Sequence, residues 1–137
     1  MKKLGIIIFL GAFFAITSCS NDRETTQQED FDKLNKMHQE LRELSQVDNY
    51  SCTDPKEWTF VKIGDKCGGE ENILYSKKIN TEAFLTKANL YRKYFERYKK
   101  KWGFMCGAYL IYWGPPSGIE CYENKPRFVY AKQFQTN

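Results

Sequence analysis

The chain has 137 residues, with 21 Lys and Arg against 17 Asp and Glu and a formal net charge of +4. So even a balance lacks the strongly basic footprint of a dedicated nucleic-acid binder, and the length allows one domain around one modest core. Nine Tyr, ten Phe and three Trp give that core large side chains with which to bury area.

The N-terminus begins Met1-Lys2-Lys3, continues as an apolar run from Leu4 to Ile16 and ends on Thr17-Ser18-Cys19. A basic start, a short apolar stretch and small residues before a boundary make a secretory signal peptide. The run is too short to span a bilayer, which takes about 20 apolar residues. Residues 1–18 are therefore read as an export signal outside the fold.

Ile16-Thr17-Ser18-Cys19 resembles the lipobox of bacterial lipoproteins, in which an aliphatic residue and two small residues precede the cysteine that receives the lipid. The resemblance implies cleavage before Cys19, a diacylglycerol thioether on its sulfur and a third acyl chain on its new amino group. One acyl chain binds a bilayer only marginally, whereas two or more hold firmly. The expected partner of Cys19 is thus the lipid bilayer of the cell envelope. Asp22 and Glu24 resemble the acidic signals that carry some lipoproteins to the outer cell surface, so an outer-membrane, surface-exposed location follows as the expectation. The resemblance covers about 19 residues and implies nothing about the activity of the mature domain.

Residues 19–28 are polar and cannot bury enough surface to fold, so they read as a tether. Residues 29–137 are left as a single domain. Loss of Lys2 and Lys3 with the leader leaves 19 basic and 17 acidic residues, a net charge of +2. With Cys19 assigned to lipid, four cysteines remain: Cys52, Cys67, Cys106 and Cys121. An even number in a small exported domain reads as two disulfides, for which three connectivities are open. The local pairs Cys52 with Cys67 and Cys106 with Cys121 suit a turn and a hairpin. No CxxC pair occurs and His38 is the only histidine, so zinc-ligand spacing is absent and no cofactor is expected.

Along the domain, Phe31, Leu34, Met37, Leu41 and Leu44 recur at spacings of three and four, predicting an acidic amphipathic helix over 29–47. It is expected either to dock on the body or to stand out as a stalk. His38 falls off this stripe and reads as a solvated surface residue. Turn residues 48–55 separate the helix from a strand over 57–63, which Gly64-Asp65 should end. A flexible turn at Cys67-Gly68-Gly69 leads to a second strand over 72–76. A second helix over 81–102 should be capped by Thr81, carry its core stripe on Phe84, Ala88, Tyr91, Phe95, Tyr98 and Trp102, and stop at Gly103.

The apolar run 104–113 and the segment 119–122 should pair as antiparallel strands about the loop Gly114-Pro115-Pro116-Ser117-Gly118. A turn at Asn124-Lys125-Pro126 and a last strand over 127–130 complete the reading. The fold class is α+β: a small disulfide-stapled antiparallel sheet of four or five strands, with the second helix packed on it and the N-terminal helix beside them.

Little in this pattern points to catalysis. GxSxG, phosphate-loop and HExxH motifs are absent, and Glu70-Glu71 has only the solvated role of an exposed pair. The second helix carries Lys87, Arg92, Lys93, Arg97, Lys99, Lys100 and Lys101 against Glu82 and Glu96. Such a face suits either solvent or an anionic partner. Trp113, Pro115, Pro116 and Ser117 form the candidate binding tip, because adjacent prolines restrict the loop and aromatics flank it. The expectation is a membrane-anchored protein-binding module, in its sharper form an inhibitor of an extracellular enzyme. A structural envelope protein whose first helix pairs with another helix is the alternative, and an enzyme of unfamiliar type a third.

Overall fold

The computed structural model describes residues 24–67, 69–103 and 114–131. Over them the order is helix α1 (Gln27–Ser45), a short 3-10 turn (Pro55–Glu57), strands β1 (Trp58–Lys66) and β2 (Gly69–Ser76), helix α2 (Thr81–Trp102), and strands β3 (Gly118–Tyr122) and β4 (Lys125–Val129). The fold is α+β. Among the described residues its strands form two two-stranded antiparallel sheets, β1–β2 and β3–β4; the sequence suggested one sheet of four or five strands. The run 104–113, expected to pair with 119–122, lies outside the described residues.

Helix α1 starts two residues earlier than its apolar stripe suggested, because Thr26 and Glu29 form a capping box. The Thr26 hydroxyl accepts from the Glu29 N–H at 3.2 Å, and the Glu29 carboxylate accepts from the Thr26 N–H at 2.7 Å. The helix ends on Gln46 in the left-handed region, φ 59°. Its buried positions are Asp30, Leu34, Leu41 and Ser45, with Met37 packed beside them. Phe31 and Leu44, placed on the core stripe from sequence, flank it and remain exposed.

Asn80, and not Thr81, caps α2, its side-chain carbonyl accepting from the Ala83 N–H at 3.1 Å. The expected stripe otherwise packs inward. Phe84, Ala88, Tyr91 and Phe95 are buried, while Tyr98 and Trp102 are half-buried at the helix end. The two helices run antiparallel, since residues at the start of α1 contact the end of α2. Helix α1 therefore docks on the body and is not a stalk.

Strand β1 continues through Gly64 and Asp65 instead of ending there, with a bulge between Lys62 and Gly64. Gly64 lets α2 approach: a Cβ there would lie 3.1 Å from Phe95 Cδ1. Val61, Ile63, Ile73 and Tyr75 face the helices and complete the core with Leu34, Leu41, Phe84 and Tyr91. On the alternate residues of the hairpin, Phe60 meets Phe128 of β4 edge-on, with centroids 5.5 Å apart. The second hairpin thus lies on the side of β1–β2 away from the helices.

That hairpin turns at Glu123-Asn124, one residue earlier than expected. Both residues have positive φ, 49° and 61°, as a two-residue turn between twisted strands requires. Pro126 sits inside β4 opposite Cys121, which a two-stranded edge allows. Among the described residues no helix is long and apolar enough to cross a membrane.

Candidate functional site

The expected local disulfides do not form. Cys52 pairs with Cys121, 69 residues away, and Cys67 is also disulfide-bonded. The reason is that the second hairpin folds back onto the segment after α1. The Cys52 N–H donates to the Asn124 carbonyl at 2.8 Å, and the Lys125 ammonium donates to the Asp48 carbonyl. Cys121 therefore meets Cys52 and is unavailable to Cys106. Cys106 and Cys19 both lie outside the described residues.

Of the candidate tip, Trp113 lies outside the described residues, while Pro115 and Ser117 are exposed and Pro116 is half-buried. The segment is not the turn of a described hairpin. It is the entry to β3, and Ser117 ties it to the open end of the second hairpin. The Ser117 N–H donates to the Val129 carbonyl at 2.8 Å and its hydroxyl donates to the same oxygen at 3.0 Å. Within the hairpin, the Arg127 guanidinium pairs with Glu120 and also covers the Tyr122 ring, 4.0 Å from its centroid. Tyr122 stays half exposed.

At the other end of the molecule Asp30 gathers four donors. The Trp102 indole N–H reaches it at 2.9 Å, the Tyr94 hydroxyl at 2.8 Å, the Thr25 hydroxyl at 2.9 Å and the Lys101 ammonium at 3.3 Å. These bonds, that from Trp102 foremost and then that from Tyr94, hold the carboxyl far below the usual carboxylate range. Lys101 also donates to the Thr25 carbonyl at 3.0 Å, so the chain enters the fold against the last turn of α2. Nothing in the local sequence marks Asp30, because Tyr94 and Trp102 lie 64 and 72 residues away.

His38 is half-buried and not simply solvated: its ring lies 5.8 Å from that of Tyr91, and its Nε2 lies 3.6 Å from the Glu71 carboxylate. Glu70 accepts from Lys62 at 3.2 Å, so neither residue of the Glu70-Glu71 pair stands alone in solvent. Burial, with Glu71's charge second, pushes the Tyr91 phenol well above its ordinary value. Nearby, Lys99 at 2.8 Å and Lys62 at 3.0 Å hold Asp65 below its ordinary value. These contacts lock β1 and β2 to the helices. Among the described residues no group of three or more His, Cys, Asp or Glu is arranged to hold a metal ion.

In comparisons with known proteins, no family model, no curated protein and no solved structure matches this chain.

Proposed function

We propose that the chain is a lipid-anchored protein of the bacterial cell envelope, acylated at Cys19 and exposed outside the cytoplasm. Its domain acts as a protein-binding module that presents the stapled second hairpin. The supporting observation is the two-ended layout. The chain enters at Thr25, against the end of α2, whereas Cys52, Asp48 and the β3–β4 hairpin gather beyond the other end of α1. That helix of 19 residues separates the ends by about 28 Å. The hairpin is therefore held away from the anchor.

The disulfide at Cys52 and Cys121 and the two hydrogen bonds that Ser117 donates to the Val129 carbonyl fix both ends of this surface before any partner arrives. Preorganisation of this kind lowers the entropic cost of association. In its sharper form the module inhibits an extracellular enzyme by surface complementarity. The alternative, in which α1 pairs with a helix of another protein, has less support, because Leu34 and Leu41 are already buried within this chain.

The test is capture of envelope and secreted proteins by the detergent-solubilised full protein with disulfides intact. Variants Trp113→Ala, Pro115→Gly and Ser117→Ala are compared for capture and melting temperature together. Capture lost by tenfold or more at an almost unchanged melting temperature supports the reading. Equal capture by all the variants contradicts it, and retention of a single enzyme whose turnover falls on binding identifies inhibition.

A further inference from the structure

The exposed side of α2 carries a row of cations that no ion pair among the described residues reaches; Glu96 beside them is engaged by Lys99 at 3.2 Å. Leu90, Lys93, Arg97 and Lys100 recur at spacings of three and four, on the side of the helix away from Phe84, Ala88 and Phe95. All four are exposed, and Leu90 keeps 52% of its surface. Of the other cations of this helix, Lys87 pairs with Glu40 at 3.2 Å, Lys99 with Asp65 at 2.8 Å and Lys101 with Asp30 at 3.3 Å, while Arg92 donates to the neutral Asn89 side chain at 3.0 Å. Acidic α1 thus neutralises Lys87 and Lys101 and leaves the row alone. Among the described residues no ion pair reaches Lys93, Arg97 or Lys100.

Lys33 of α1 adds to the row. Its ammonium lies 4.6 Å from the Tyr94 ring centroid, and the Arg97 guanidinium lies 5.1 Å from the same centroid. The ring's electrons hold both cations at one edge of the helix pair despite their like charge.

The position of the row supplies its occupant. Only residues 20–24 lie between Cys19 and Thr25, and Thr25 is held by Lys101 in the last turn of α2. So short a tether reaches at most about 20 Å. Leu90 lies about 16 Å up the helix from Lys101, and the cations of the row lie closer. An acylated Cys19 therefore keeps this stripe near the headgroups, while the second hairpin stays at the far end.

We infer that the stripe of Leu90, Lys93, Arg97 and Lys100, with Lys33 at its edge, docks on the anionic headgroups of the leaflet that holds Cys19. The inference rests on the lipid-anchor reading above. Leu90 meets the interfacial region and the cations meet phosphate. Each basic residue near an anionic surface strengthens such docking about fivefold, and salt weakens it. The docking fixes the tilt of the domain, which sets where the second hairpin points.

The test places the full protein, isolated from membranes, in vesicles of phosphatidylcholine alone or with phosphatidylglycerol added. Amine-reactive labelling of Lys93 and Lys100 is followed by mass spectrometry, with exposed Lys56, near the start of α2, as reference. Labelling is expected to slow several-fold on the anionic vesicles only, to recover in high salt, and to be indifferent to vesicle composition at Lys100 of the double variant Lys93→Glu, Arg97→Glu. The mass of the N-terminal peptide scores the anchor separately. An acylated protein whose Lys93 and Lys100 label equally fast on both vesicles overturns the docking and leaves the anchor standing. An unacylated chain overturns both, because the docking is derived from the tether. Protection that appears on either vesicle only when envelope proteins are added overturns it in favour of an acidic protein partner.

Discussion

Trp102, the last residue of α2, donates its indole N–H to Asp30 in the first turn of α1 across 2.9 Å. One buried carboxylate thereby joins the two helices and, through Thr25 and Lys101, the point where the chain enters the domain. A charged acceptor with several donors makes stronger bonds than neutral groups would.

This junction predicts a pH dependence of stability. The folded carboxyl of Asp30 titrates below its unfolded value of about 3.9. Its contribution is fully present above that value and is lost as pH falls through the lower folded one. Asp30→Asn should lower the melting temperature by several degrees at neutral pH, and the gap to the wild type should close in acid. Thermal denaturation of both proteins from pH 7 down to acid checks this.

Two tryptophans should respond differently to the same substitution. Trp58 is 3% exposed, and its buried indole N–H has no hydrogen-bond partner among the described residues. Trp58→Phe removes an unsatisfied donor whose burial costs about 1–3 kcal/mol, which offsets much of the lost packing. Trp102→Phe instead deprives the Asp30 carboxylate of the indole N–H that donates to it at 2.9 Å. Chemical denaturation should show Trp102→Phe as the more destabilising change; the reverse order would mean that the Asp30 junction contributes little.

Non-reducing peptide mapping should recover Cys52 linked to Cys121. Because Cys67 is also bonded and Cys19 carries lipid in this account, the second linkage expected is Cys67 to Cys106. Closing a loop of 69 residues contributes about 4 kcal/mol in the chain-entropy description. The double variant Cys52→Ser, Cys121→Ser should lose stability of that order. Recovery of Cys52 linked to Cys67 would contradict the docking of the second hairpin.

The sequence carried the helices better than the sheets. The stripe of α2 was legible because Phe84, Ala88, Tyr91 and Phe95 keep one period over about three turns, and periodicity survives any tertiary arrangement. On α1 the apolar residues alone put Phe31 on the core face, but the space at that level is taken by Asp30. A polar residue enters a core only when distant partners satisfy it. The capping box at Thr26 and Glu29 was readable in the sequence, yet an apolar stripe beginning at Phe31 drew the boundary inward. The hairpins were harder still. Proximity along the chain favoured Cys52 with Cys67, whereas the pairing depends on how β3–β4 packs against the segment after α1, and no local pattern encodes that. Of the candidate tip, the restriction of Ser117 was legible only as a loop tendency. Its bonds to Val129 depend on the register of β3 with β4.

The shifted phase of α1 gives a further prediction. Leu41 is 1% exposed and Phe31 45% exposed. Leu41→Ala should cost about 2–5 kcal/mol of folding stability, and Phe31→Ala about 1 kcal/mol, since it removes little from the core. Equilibrium unfolding in urea ranks the two. A larger loss at Phe31 would return it to the core face.

The most direct measurement of the central claim is the mass of the N-terminal peptide from the protein recovered in the membrane fraction. An anchored lipoprotein should begin at Cys19 and carry the mass of a diacylglycerol with a further acyl chain. Cys19→Ala should lose that mass and leave the membrane fraction. A mature N-terminus at any other residue, or a membrane-bound Cys19→Ala protein, would contradict the anchor and with it the arrangement of a tethered end and a presented hairpin.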